Sequence, residues 1–122
     1  MANLVIQSTN LPFHNAAYLD AIESAMSAAN AELSVTFLLS GNAVFQLVSQ
    51  QNNEAVSRKN IIKQIKVLHV YGVEKICVFA PEFFNSEEKT IKSEDLYIEN
   101  IAIINESEFN HIMQSAHQVL VF

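Results

Sequence analysis

Leu33-Ser34-Val35-Thr36-Phe37-Leu38-Leu39, with Gly41 two residues further on, is the stretch that decides the fold. Five of its seven residues are apolar, and β-branched and aromatic types are among them. A run this short and this apolar reads as a strand covered on both faces. Gly41 is expected to make the turn that ends it. A strand with two apolar faces needs a layer on each side, so helices are expected before and after it. Upstream, Asn15 to Asn30 is rich in alanine, the best helix former, with apolar positions at Ala17, Ile22, Ala25, Met26 and Ala29. Ahead of that helix, Ala2 to Ser8 carries the continuous run Leu4-Val5-Ile6 and reads as a first strand.

Downstream, Asn42 to Val48 reads as either a short helix or a loop packed at the sheet edge. Glu54 to Tyr71 is the clearest helix. Its apolar positions are Val56, Ile61, Ile62, Ile65 and Leu68, with His69 beside them and Gly72 as the terminating glycine. Val73 to Phe79 is a third strand, and Pro81 cannot extend it. The polar segment 82–95 has no clear period and reads as a long loop, a feature that in compact domains tends to be functional or interfacial. Ile98 to Ile104 is a fourth strand. Asn105 with Glu108 three residues on forms a capping-box signature for a helix running to about Ala116. Gln118 to Phe122 is the last strand. Strands alternating with helices predict one α/β domain over residues 1–122, a three-layer α/β/α sandwich with a mostly parallel five-stranded sheet.

Composition narrows the function. The chain has 122 residues, enough to bury a full core in one domain. Half the residues are apolar and 16% are charged, which excludes a disordered chain. The apolar excess leaves room for an interface, although a two-faced sheet uses many apolar residues by itself. A net charge of −6 argues against non-specific nucleic-acid binding by the whole surface. Arg58, Lys59, Lys63, Lys66 and Lys75 are five of the seven basic residues. Lys59, Lys63 and Lys66 share one helix face, either a solvated face or a contact for an acidic partner or a tRNA edge. Cys77 is the only cysteine, so neither an internal disulfide nor a Cys-rich zinc site is expected. The N-terminus has no secretory pattern and no stretch has the length of a membrane span, so a cytoplasmic location without membrane contact is expected.

Nucleotide and phosphorylation sites are not supported. The loop Ser8-Thr9-Asn10-Leu11-Pro12-Phe13-His14 contains no glycine, and the chain holds only Gly41 and Gly72. Flavodoxin, dinucleotide and P-loop readings therefore fail. The acidic residues of a response-regulator receiver are also missing. His14, His69, His111 and His117 pair neither with one another nor with Cys77 at metal-ligand spacing, so no metal and no cofactor are expected. His14 alone falls in a loop at the carboxyl end of the sheet, where α/β domains place ligands.

Cys77 is the residue with chemical potential. The reading places it near the carboxyl end of the third strand, with Lys75 on the same face by alternation. An accessible thiolate there would accept and pass on a sulfane sulfur. Its neighbours Ile76 and Val78 equally suit a buried, inert thiol.

Asn42-Ala43-Val44-Phe45-Gln46-Leu47 after the second strand resembles the DsrE/DsrF-like family, in particular its TusC (DsrF-like) branch. So do the passage Ile65-Lys66-Val67-Leu68-His69-Val70-Tyr71-Gly72-Val73-Glu74, the cysteine-bearing strand that follows, and the ending Gln118-Val119-Leu120-Val121-Phe122. The resemblance spans essentially the whole chain. It implies a three-layer fold with a five-stranded parallel sheet. It also implies assembly with TusB-like and TusD-like subunits into a complex that relays persulfide sulfur toward 2-thiolation of the tRNA wobble uridine, contacting tRNA only through the complex. Sulfur-oxidising relatives use a similar complex. In the TusD/DsrE branch the carrier cysteine is followed by an Arg-Gly pair; here Pro81-Glu82-Phe83-Phe84-Asn85 stands instead. That departure favours a non-catalytic, mainly structural TusC-like subunit. The alternatives are a sulfurtransferase in its own right, with Cys77 as persulfide carrier tuned by His14 or Lys75, and a DsrE-like homo-oligomer of other function.

Overall fold

The computed structural model describes residues 3–9, 17–47, 63–81 and 101–122. They form β1 (Asn3–Ser8), α1 (Ala17–Asn30), β2 (Ser34–Ser40), a 3-10 helix (Gly41–Leu47), a helical stretch α2 (63–67), β3 (Lys75–Phe79), β4 (Ala102–Ile103), α3 (Glu106–Ser115) and β5 (Gln118–Val121). The five strands make one sheet in the order β4-β3-β2-β1-β5, and all four pairings are parallel. The expected sheet and the alternation of strands with helices are both present. Position 2, the helix start at 15–16, the end of the 42–48 segment at Val48, the first part of the Glu54–Tyr71 helix, the 82–95 loop and the beginning of the Ile98–Ile104 strand lie outside the described residues. So do His14, Arg58 and Lys59.

Side-chain alternation divides the sheet into two faces. Leu4, Ile6, Val35, Phe37, Leu39, Ile76 and Val78 point one way, onto Ala21, Ile22 and Ala25 of α1 and Ile65 of α2. Val5, Leu38 and Cys77 point the other way, with Ile104, onto Phe109, Ile112 and Met113 of α3. Among the described residues the first cluster contains 16 buried residues and the second four. Chain direction supplies the reason. The step from β1 to β2 carries α1 over one face, whereas the reverse step from β4 to β5 carries α3 over the opposite face, as right-handed crossovers require. α3 has no fully buried residue, so it rests on the sheet as a partial cover.

Two helix ends use the same closure. After α2, the Val73 N–H donates to the Leu68 carbonyl (3.0 Å) and the Gly72 N–H to the His69 carbonyl (3.2 Å). This is a Schellman motif with Gly72 at φ +104 and with Leu68 and Val73 both buried. After α1, Leu33 bonds back to Ala28 (3.1 Å) and Glu32 to Ala29 (3.0 Å), the same pattern. There the left-handed position is Glu32, at φ 65, where glycine would be unstrained. These closures set where β2 and β3 begin.

The structure corrects one placement. Cys77 is the middle residue of β3, paired with Leu38 on one side and Ala102 on the other, rather than near the strand's carboxyl end. Val73 and Glu74 are taken up by the helix exit and by a bond from the Glu74 N–H to the Val35 carbonyl (3.1 Å). The strand proper therefore starts at Lys75.

Candidate functional site

Among the described residues, β3, β4 and α3 bound a cavity of about 670 Å³ on the second face. Among the described residues, Cys77 with Ile104 and Ile112 supplies apolar lining, and Lys75, Glu108 and His111 supply polar groups. Lys75 and Cys77 share this face because they are two residues apart on β3. Glu108 and His111 share it because they are three apart on α3.

The local sequence holds each group in place. Asn105 caps α3: its Oδ1 accepts from the Glu108 N–H (2.8 Å), and its own N–H donates to Glu108 Oε1 (3.2 Å). The capping box expected from the sequence is thus complete. It also anchors the Glu108 carboxylate between this cavity and a smaller hollow of about 320 Å³ at the carboxyl ends of β3 and β4. Phe79 stacks on Phe109 with ring centroids 4.3 Å apart, tying β3 to α3.

Cys77 is a free thiol and only 3% exposed. Burial pushes its pKa above the ordinary value. The Lys75 ammonium pulls it down, and the Glu108 carboxylate adds a smaller upward push. The resting group is therefore a neutral thiol. It becomes a soft nucleophile only on losing its proton, and Lys75 is the neighbour that favours that form.

The other candidates from the sequence are dispersed. His69 is a helix-end residue, with Nδ1 3.2 Å from the Val73 carbonyl. His117 Nδ1 accepts the Asn3 backbone N–H (2.9 Å), joining the starts of β1 and β5. Lys63 and Lys66 are exposed on the α1 side of the sheet, away from Cys77. Among the described residues no three of His, Cys, Asp and Glu converge as a metal site, and no helix is long and apolar enough to cross a membrane. Sequence reasoning missed Glu108 and His111 as neighbours of Cys77. Glu108 was legible only as a capping residue, because its proximity to β3 follows from the reverse crossover and not from any local pattern.

The DsrE/DsrF-like family model matches residues 2–122. The chain belongs to the DsrE/DsrF-like family. Membership in the DsrE/DsrF-like family implies a function related to sulfur relay. The crystal structure of the YchN protein from E. coli superposes over 100% of both chains with a TM-score of 0.68 at 19% sequence identity. At that identity the likeness establishes the DsrE/DsrF-like fold, a parallel five-stranded α/β sheet. No curated protein sequence matches this DsrE/DsrF-like chain.

Proposed function

We propose that this DsrE/DsrF-like domain is a TusC-like subunit of a sulfur-relay complex supporting 2-thiolation of the tRNA wobble uridine, and that its part is mainly structural. The observation that carries the reading is the state of its only cysteine. In a domain family tied to sulfur transfer, Cys77 is buried and held protonated, unlike a poised relay nucleophile. Apolar side chains left at the surface support docking to TusB-like and TusD-like partners. Val70 is 84% exposed and Val121 62%, and Leu33, Tyr71 and Ile103 are exposed as well. The complex would act in the cytoplasm.

Co-expression with such partners, followed by native mass spectrometry, tests the proposal. A hetero-oligomer containing this chain is expected, with sulfur from a cysteine desulfurase and a sulfur-carrier protein appearing on a partner subunit. A stable monomer that ignores its partners would sink it.

One observation favours a second reading, in which Cys77 is itself a persulfide carrier: the thiol lines a cavity beside a lysine. A one-sulfur adduct on the chain, lost in Cys77→Ala, would select this reading over the structural one.

A further inference from the structure

Among the described residues, three of the five exposed large apolar side chains gather at one place: Leu33, Val70 and Tyr71. They stand on the two helix exits, after α1 and after α2. The exits are neighbours because β2 and β3 are paired. The Glu74 N–H reaches the Val35 carbonyl (3.1 Å), and a Cβ at Gly72 would lie 3.9 Å from Ala29 Cβ. Tyr71 carries the patch on into a groove of about 380 Å³ between the helices, lined also by Met26 of α1 and by Lys63, Gln64 and Val67 of α2. Clustered apolar exposure of this kind marks a contact surface.

The charges beside the groove say what fits there. α1 carries Asp20 and Glu23 and no cation. Glu23 stands three residues before Met26, and Asp20 three before Glu23, so the acidic ridge of α1 borders the groove. Residues 63–71 carry Lys63 and Lys66 and no carboxylate, and Lys63 lines the groove. All four charged side chains are exposed. The groove therefore has an acidic wall and a basic wall. Such a face complements itself. A two-fold axis running along the groove lays the acidic α1 of each copy over the basic α2 of the other, with the apolar strip between them. A chain of net charge −6 repels its own copies in general, so a copy binds where both signs are presented.

We infer that the α1/α2 face is a two-fold contact with a second copy of this chain. Val70, at 84% the most exposed of the patch, enters the shared apolar strip, and the opposed walls set the register. Ile103 and Val121, on the edge strands β4 and β5, stay clear of this contact and remain for partners of other sequence. The inference thus goes beyond the hetero-oligomer proposed above and does not depend on it.

Sedimentation velocity of the full chain alone, over a micromolar concentration series, tests it. A monomer–dimer equilibrium is expected. Val70→Glu, Lys63→Glu and Glu23→Lys, all at exposed positions, are each expected to weaken the dimer about tenfold, since each change occurs twice in a two-fold contact. The equimolar mixture of Lys63→Glu with Glu23→Lys is expected to regain a dimer, because the first variant has two acidic walls and the second has a basic residue on each. Circular dichroism checks that each variant folds, and the two charge variants report independently on opposite walls. A chain that stays monomeric throughout overturns the inference. So does a dimer indifferent to all three substitutions, which would use another face. A mixture no tighter than either variant alone overturns the crossed pairing of the walls and with it the two-fold contact. None of these failures touches the hetero-oligomer, which co-expression with partners reads separately.

Discussion

The charges flanking Cys77 lead to a prediction whose sign and size both come from the cavity. Burial raises the thiol pKa most, Lys75 lowers it, and Glu108 raises it by the smallest of the three effects. Lys75→Met should therefore slow alkylation of Cys77 by iodoacetamide at neutral pH, because fewer molecules carry the reactive thiolate. Glu108→Gln should speed it, by a smaller factor. Gln at this position still closes the capping box, so this variant removes charge without unseating α3. Both side chains are exposed, and exposed charge pairs are worth about 0–1 kcal/mol, which corresponds to at most roughly a fivefold change in thiolate population. The assay is the pseudo-first-order alkylation rate by intact mass, across pH, at low salt and in 1 M salt. High salt should shrink both effects, because the screening length falls to about 3 Å. A Glu108→Gln variant that reacts more slowly than the parent, or a Lys75→Met variant that reacts no more slowly, would refute the electrostatic account of the site.

Further expectations concern stability. Glu32→Gly should stabilise the fold by about 0.5–1 kcal/mol by relieving a left-handed residue in the α1 closure, whereas Gly72→Ala should cost about 1–2 kcal/mol. The added Cβ at Gly72 would meet only Ala29 Cβ, at 3.9 Å, so that loss is conformational and not steric; urea midpoints measure both changes. Asn105→Ala removes the α3 cap and should cost about 1 kcal/mol by the same assay, with extra amide exchange confined to the start of α3. Stability should also fall in alkali on account of Cys77. Its folded pKa lies above the unfolded value, so the folded state retains the proton longer. The contribution is fully present below the unfolded pKa and is lost as pH rises through the folded one. Cys77→Ala should remove that part of the alkaline slope in pH-dependent denaturation, and an unchanged slope would contradict the burial.

The sequence by itself determined the layered architecture. Apolar runs at Leu4-Val5-Ile6, Phe37-Leu38-Leu39 and Ile76 to Val78 dictate strands covered on two sides, because such runs have no polar face to offer water. Gly72 and the Asn105–Glu108 pair marked helix ends in advance, since those closures use a few local residues with distinctive backbone and side-chain needs. Glu32 was not legible as a closure, because a glutamate gives no sign that it will adopt positive φ. The site was only half visible. Local alternation placed Lys75 beside Cys77, two positions apart on one strand. Tertiary structure alone decided that Cys77 sits mid-strand and buried, that Glu108 and His111 approach it from more than 30 positions later in the chain, and that a cavity remains between them. The physical reason is the single reverse crossover from β4 to β5. It lays α3 over the face that carries Cys77, and which residues meet there depends on the packing of distant segments, which no local pattern encodes.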